Sequence, residues 1–371
     1  MSGIELLVGS RAFWDRAARD IAAARHRVLV QAMTFEADAA GLSVAEAIAA
    51  SGAAERRVLV DDYSRNVIND TMLPLPFRPR AVREEARQTL AMFDRLVERG
   101  VGVRITNPVL GNPLRYPLRN HKKLIVADDV IHVGGINFSD HNFAWHDLML
   151  RIDDSAVANF LAGDFLNDWN GAPQPACATF GPLKLICADG VTNAAALDPL
   201  LAMIAGATQS VEMVSAYPTM PFVAAMTAAA AAGAKVAVYT PAPNNKPVVR
   251  DYLAAVAEPA GIALRLLPEM THAKALLLDG TTLILGTSNF NFASYRTSND
   301  IVIVVRDPAL IADFERQLLA PMRLRSTPAA EARTPAWRKL RGRVALSLAD
   351  AALARLRHGP IRVIDWPTGG R

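Results

Sequence analysis

The chain has 371 residues, 51% of them hydrophobic and 20% charged, which is enough for two domains with sizeable cores. That apolar content excludes a disordered chain, and no charge-free apolar run is long enough to predict a spanning helix. The net charge is +4, but residues 323–371 hold eleven Arg or Lys against three acids, so a basic tail (+8) follows an acidic body (−4).

Taken in chain order, Arg11–Ala24 predicts an amphipathic helix with Trp14, Ala17 and Ile21 on one face. A strand follows at Arg27–Phe35. Ser43 and Glu46 form a capping box for a short helix. Arg57–Val60 is strand-like, and Tyr63–Arg80 is irregular and proline-rich. A helix over Ala81–Arg99 stops on Gly100. Strands follow at Val101–Ile105, Leu124–Ala127, Val130–Val133 and Asp147–Ile152, and a helix at Ser155–Trp169 ends this half.

The order then recurs. Asp198-Pro199 predicts a helix start. Strands are predicted at Ser210–Val214, Lys235–Tyr239 and Leu264–Leu267, with a helix at Pro221–Ala232. Strands also fit Ala275–Leu278, Thr282–Leu285 and Asp300–Val305, and Asp307-Pro308 opens a closing helix. The repeat implies an internal duplication, and alternating strands and helices imply an α/β sheet in each half. The predicted divisions are 1–175, 176–322 and a basic tail at 323–371, with the boundary between halves near Ala172–Pro182.

One unusual spacing occurs in both halves. His121, Lys123 and Asp128 read H-x-K-x4-D, and His272, Lys274 and Asp279 repeat it. Lysine is rare here, 7 against 33 arginines, yet both motifs use it. Each is followed by a Gly-rich turn with Asn, at Gly134-Gly135-Ile136-Asn137 and Gly286-Thr287-Ser288-Asn289. Residues two apart on a strand face the same side, so His and Lys point together. Lys is a compact cation for a phosphate oxygen, and Asn137 and Asn289 would each donate to another. Histidine attacks or exchanges protons near neutral pH. Two such sets suit in-line displacement at phosphorus, with one nucleophile and one general acid.

At these residues the chain resembles the phospholipase D superfamily. Its first half is similar to the bacterial cardiolipin synthase branch at Arg119-Asn120-His121-Lys122-Lys123, Gly134–Asn137, Trp145-His146-Asp147 and Arg151-Ile152. The second half resembles it at His272-Ala273-Lys274, Gly286–Asn289, Ser294 and Asn299-Asp300. The resemblance implies two duplicated α/β sandwich halves packed together with one shared active site. It implies a phosphohistidine intermediate, with no metal and no cofactor. It also implies an acidic residue after each motif that orients the histidine. Asp147, 26 residues beyond His121, and Asp300, 28 beyond His272, fit that role. The candidate catalytic set is His121, Lys123, Asp128, His272, Lys274 and Asp279, with the two aspartates, at strand-to-turn junctions, in support. Two departures stand out. The His-to-Asn interval is 16 residues in the first motif and 17 in the second, which predicts a tightened turn at Asp128-Asp129. Asn291 and Ala293 stand where the branch tends to have Asp and Arg.

The implied activity is phosphatidyl transfer or phospholipase D hydrolysis on glycerophospholipids. The alternative is a nuclease of the same superfamily, against which the acidic body argues. His121 is expected to attack and His272 to carry the proton, with the roles open to exchange. A chain with both motifs is expected to act as a monomer, without nucleic acid. Two cysteines, Cys177 and Cys187, exclude a disulfide framework, and no signal peptide is read at the N-terminus. The expected location is therefore cytoplasmic, peripheral on the membrane's cytoplasmic face. Contact with an anionic membrane is expected through apolar loops (Met72–Pro79 with Leu75 and Phe77, Pro108–Pro117, Ala216–Phe222) and a basic helix at Arg338–Arg357. In that helix Leu340, Val344, Leu348 and Ala351 line one side, widened by Leu346, Leu353 and Leu356.

Overall fold

The computed structural model describes residues 3–73, 77–109, 115–332, 334–356 and 359–367. They form two compact units, one comprising residues up to 144, 148–174 and 360 onward, the other 145–147 and 175–359.

The first unit opens with β1 (Ile4–Val8), α1 (Ser10–Ala23), β2 (Arg27–Ala32), α2 (Ala39–Ala50) and β3 (Glu55–Asp61). The single turn α3 (Tyr63–Asn66) and a hairpin of β4 (Val67–Ile68) with β5 (Thr71–Met72) come next. Then come α4 (Arg80–Glu98), β6 (Gly102–Thr106), β7 (Leu124–Ala127), β8 (Val130–Gly134), α5 (Asp140–Ala144), β9 (Leu148–Asp153) and α6 (Ser155–Trp169). The sheet runs β1-β9-β8-β7-β2-β3-β6 and is completed at its edge by Val363–Asp365, from the far end of the chain. Alternation sorts its faces. Val28 and Val30 join Phe13, Ile21, Ile48 and Phe93 of α1, α2 and α4 in one core. Gln31, one residue on, turns the other way and donates to Asp168 of α6 at 2.7 Å.

The second unit opens with a hairpin of β10 (Ala176–Phe180) and β11 (Leu183–Cys187), where the sequence predicted only a linker. It continues with α7 (Asn193–Ala205), β12 (Ser210–Val214), α8 (Phe222–Ala231), β13 (Lys235–Pro241), α9 (Pro247–Val256) and β14 (Ala263–Leu267). Its last elements are β15 (Ala275–Leu278), β16 (Thr282–Gly286), α10 (Phe292–Arg296), β17 (Ile301–Val305), α11 (Pro308–Phe314), α12 (Ala320–Arg325), β18 (Thr327–Pro328) and α13 (Ala336–Arg355), after which β19 (Val363–Asp365) belongs to the first unit. The sheet order is β10-β11-β17-β16-β15-β12-β13-β14-β18. In both units the motif hairpin, β7–β8 or β15–β16, sits beside a parallel pair, β2–β3 or β12–β13. The duplication is therefore real in topology. The first hairpin turns on two residues (128–129) and the second on three (279–281), which accounts for the unequal intervals.

Several expectations change. Helix α2 is capped by Asp38, whose carboxylate accepts from Gly41 N at 3.0 Å. Ser43 is therefore interior, and its hydroxyl accepts from Trp14 Nε1 instead. Helix α7 starts five residues before Asp198, so Pro199 lies inside it. Asp189 accepts from Val191 and Thr192 and Asn193 from Gly190, which sets the earlier start.

The expected tail at 323–371 is not a separate element. Helix α13 lies along α9, and Gly342 permits the approach, since a Cβ there would fall 2.5 Å from Tyr252 N. Asp251, fully buried, accepts from Arg338 and Arg341, while Lys339 pairs with Glu258. The expected single apolar face is two faces. Leu346 faces the second unit's core, whereas Trp337, Leu340 and Leu348 are 62%, 64% and 65% exposed on the outer side. Arg357 lies outside the described residues. Beyond them the chain returns to the first unit as β19, where the Trp366 ring packs on Phe93 at 4.9 Å and its indole N–H donates to Asp94.

Candidate active site

In the first unit the motif enters from a braced segment. Asp61, buried at the end of β3, accepts from Asn120 N at 2.8 Å and pairs with the Arg119 guanidinium. Lys122 points to the α6 side and is buried against Asp164 and Asp168 at 2.7 and 3.0 Å. His121 and Lys123, on alternate positions, take the opposite side, and Lys123 Nζ donates to His121 O at 2.6 Å. Both sit just before β7 rather than within it. Asn137 Oδ1 accepts from Thr34 N at 3.3 Å, and its amide donates to Asn142 Oδ1.

Asp128 takes a left-handed conformation (φ 52°) at the turn and accepts from the backbone N–H groups of Arg25, His26 and Arg27 at 2.8–2.9 Å. Asp279 (φ 50°) accepts from Thr208, Gln209 and Ser210 in the same way. Burial opposes ionisation of each, but the three donors outweigh it and hold both carboxyls below the usual range. Each motif aspartate thus ties its hairpin to the loop that starts the neighbouring strand.

In the second unit the site is more explicit. The imidazole Nδ1 of His272 lies 2.8 Å from Asp147 Oδ2 and 2.7 Å from Lys274 Nζ. A single site can serve one of these at a time. Either Nδ1–H donates to the carboxylate, which makes Nε2 the acceptor nitrogen of the ring, or the ammonium donates to a bare Nδ1. Lys274 also donates to His272 O and lies 3.7 Å from Asp147. Burial lowers the Lys274 ammonium to about 8, although Asp147 and Asp300 pull it back up. Thr287 Oγ1 donates to Asp300 at 2.6 Å, and Asn289 N to Ser294 Oγ at 3.3 Å. Asn291, the departure from the branch pattern, caps α10 by accepting from Ser294 N at 2.9 Å.

The pairing of the orienting acids is therefore corrected. The carboxylate on His272 is Asp147, expected on His121, and not Asp300 from its own half. Residues 145–147 cross into the second unit, where His146 N donates to Met270 O and His272 N to His146 O at 3.1 and 2.8 Å. That register sets Asp147 beside His272. It also brings Trp145 to 5.4 Å from the His272 ring, with Tyr217 edge-on at 5.8 Å from another direction. Neither aromatic carried a spacing signal. His132 is buried and bonded to Asp20 at 2.8 Å, as a structural histidine would be.

Of the loop residues expected at a membrane, Phe222 is fully buried against Phe290, so it is a core residue. Phe77 is 99% exposed, and Leu75 lies outside the described residues, as do residues 110–114. Among the described residues no helix is long and apolar enough to cross a membrane. Among the described residues one group of side chains could hold a metal ion: Glu36, Asp38 and Glu85 have carboxylate oxygens within 4.8 Å of one another. Burial first, then the neighbouring acids, lifts Glu36 to about 8.

A family model for the cardiolipin synthase PLD-like domain matches residues 18–169 and 200–320. The chain belongs to that family. It is 25% identical to cardiolipin synthase A of Pseudomonas aeruginosa over 343 residues, covering 85% of this chain and 66% of that one. To the major cardiolipin synthase of Bacillus subtilis it is 23% identical over 358 residues, 86% of this chain and 69% of the relative. To the cardiolipin synthase of Listeria welshimeri it is 25% identical over 268 residues, 63% and 54% respectively. The chain thus spans between 54% and 69% of the length of these relatives. In fold it is similar to phosphatidylserine synthase from Haemophilus influenzae, with a TM-score of 0.70, 14% identity and 94% of each chain covered. It is also similar to polyphosphate kinase from Porphyromonas gingivalis, with a TM-score of 0.57, 13% identity and 87% and 50% covered. Family membership and the twin motifs agree on a phospholipase D-like fold in both halves.

Proposed function

We propose that this chain is a phosphatidyltransferase of the cardiolipin-synthase kind, working on glycerophospholipid phosphodiesters through a phosphohistidine. The observation that carries the reading is His272, held at Nδ1 by Asp147 with the Lys274 ammonium beside it, in a chain that has the same motif a second time at His121. In the first step His121 Nε2 forms a bond to phosphorus while the bond to the leaving alcohol breaks, and protonated His272 gives that oxygen its proton. In the second, neutral His272 takes the proton of an acceptor alcohol or water. The acceptor oxygen bonds to phosphorus and the P–N bond breaks, restoring His121. Asp147 stabilises the imidazolium between the steps. Lys123, Lys274, Asn137 and Asn289 hold the phosphoryl oxygens as charge redistributes.

The lipid must be met at a surface. The outer stripe of α13, with Trp337, Leu340, Val344 and Leu348 exposed and Arg343 exposed on the same helix, supports peripheral attachment to an anionic membrane surface. Leu340→Ser with Leu348→Ser should lower binding to phosphatidylglycerol vesicles several-fold without unfolding α13, whose inner face is unchanged. Equal binding would remove α13 from the contact.

Purified protein is to be given phosphatidylglycerol vesicles and, separately, single- and double-stranded DNA, with products read by mass spectrometry. Phosphatidyl-transfer or hydrolysis products that vanish in His121→Ala and in His272→Ala are expected. Cleavage confined to DNA overturns the reading. A phosphorylated peptide containing His272 rather than His121 would exchange the two roles.

A further inference from the structure

We propose that Lys246 is a specificity-determining residue that selects acceptor alcohols carrying an anionic group of their own. This rests on the transfer reading above, in which His272 handles the proton of the entering alcohol. Tyr217 forms one wall beside the His272 ring, and the ammonium of Lys246 lies over that same tyrosine, 5.4 Å from its centroid. The loop between β13 and α9 fixes this arrangement. Asn244, buried, donates to Ala216 O at 2.6 Å and accepts from Lys246 N at 2.7 Å. The Tyr217 hydroxyl donates to Asn245 Oδ1 at 2.6 Å. The loop and the tyrosine therefore hold each other, and Lys246 is placed by both.

Its charge is available. Lys122, Lys274 and Lys339 each meet an acid, whereas exposed Lys246 has no carboxylate partner among the described residues. Lys246 also precedes the first turn of the ten-residue helix α9, whose N-terminal dipole adds positive potential at the same corner. A cation one ring away from the proton-transferring histidine favours an alcohol with a phosphodiester a few bonds from its reacting hydroxyl. It gives nothing to glycerol or water.

The test uses the full chain with phosphatidylglycerol as donor in mixed micelles. Two soluble acceptors compete, anionic glycerophosphoglycerol and isotope-labelled glycerol, and the readout is the ratio of the two transfer products. Lys246→Gln should lower the ratio roughly three- to tenfold through KM for the anionic acceptor, and Lys246→Arg should restore most of it. Added salt should lower the wild-type ratio but not that of the Gln variant. A ratio unchanged in Lys246→Gln overturns the proposal. So does a loss that falls equally on hydrolysis of the donor, which would put the contact on the donor. Failure of the transfer reading looks different, with wild type yielding no product that depends on His121 and His272. A second arm then decides on Lys246. Binding of glycerophosphoglycerol, followed by its phosphorus resonance, should weaken in Lys246→Gln, and equal binding overturns the proposal.

Discussion

Behind His121 the chain buries charges that turn away from the histidine, whereas the charges buried beside His272 face it. Lys122 is enclosed with Asp164 and Asp168, and Arg119 with Asp61, on the segment that leads into β7. The position equivalent to Lys122 in the second motif is Ala273, fully buried and apolar. There the run-in is fixed by backbone pairing with residues 145–147, and the carboxylate that comes with them reaches the imidazole itself. The first motif is thus braced from behind by ion pairs on the side away from His121. The second is braced by a carboxylate bonded to its own histidine. Two copies of one pattern reach the same local geometry by different means, so damage to each support should read out differently.

The largest effect is expected at the second motif. Asp147→Asn keeps a hydrogen bond but cannot stabilise an imidazolium, so kcat should fall roughly 10²- to 10⁴-fold. The thermal transition should move little. A variant that unfolds instead, or one that keeps its rate, would make Asp147 a brace like Lys122 and erase the contrast.

The converse holds at the first motif. Lys122→Met leaves Asp164 and Asp168 buried without their cation, which should cost about 3–5 kcal/mol in denaturant unfolding. Adding Asp164→Leu and Asp168→Leu should recover much of that loss. The properly folded fraction should keep most of its rate, because Lys122 faces away from His121. A rate loss that persists in folded protein would show that the ion pairs tune the histidine as well as hold it.

Much of this was legible in the sequence, and the exceptions have a pattern. The hairpins that carry the motifs were predicted to within a residue because they are short, apolar and closed by Asp-containing turns. The duplication was legible because the same two intervals recur. The exchange of Asp147 was not, because spacings of 26 and 28 residues suit an orienting acid in its own half equally well. Only the pairing of His146 with Met270 and His272 reveals the crossing. Helix α13 was legible as a helix, but its two apolar faces merge into one on a helical projection until Gly342 shows which side meets α9. The return of β19 is three residues long and follows no period, so the tail reads as loose. Trp366 was the one available hint, as a large apolar residue near a charged end.

The Lys274 ammonium gives the comparison a pH axis. Burial is the larger influence and sets it to about 8, well below an ordinary lysine. Above that pH the second motif loses its phosphate charge, so the rate should fall on an alkaline limb centred near 8. Stability should move the other way. Between about 8 and the ordinary 10.5 the unfolded chain holds the proton that the folded chain has released, so this group's contribution to stability rises with pH. Lys274→Arg keeps its charge and should remove the alkaline limb while lowering the maximal rate, since a planar fork fits poorly where a point charge sat. A limb unmoved in Lys274→Arg would assign it to another group.

The smallest expected effect falls where the copies are alike. Asp128 and Asp279 each accept three backbone N–H groups at the start of a neighbouring strand, and neither donates anything toward its histidine. Changing either to Asn removes one acceptor oxygen, so at least one N–H loses its partner, at about 1 kcal/mol. Because both folded-state carboxyls lie below the usual range, the stability they contribute is full above the ordinary 3.8 and is lost as pH falls through the lowered value. Asp128→Asn and Asp279→Asn should therefore lose stability by similar amounts at neutral pH, flatten the acid limb of the unfolding curve, and keep kcat within a few-fold. A hundredfold loss of kcat in a variant that still folds would move that aspartate from support into the chemistry. If only one of the two lost rate in this way, the functional asymmetry expected between Lys122 and Asp147 would extend to the motif aspartates as well.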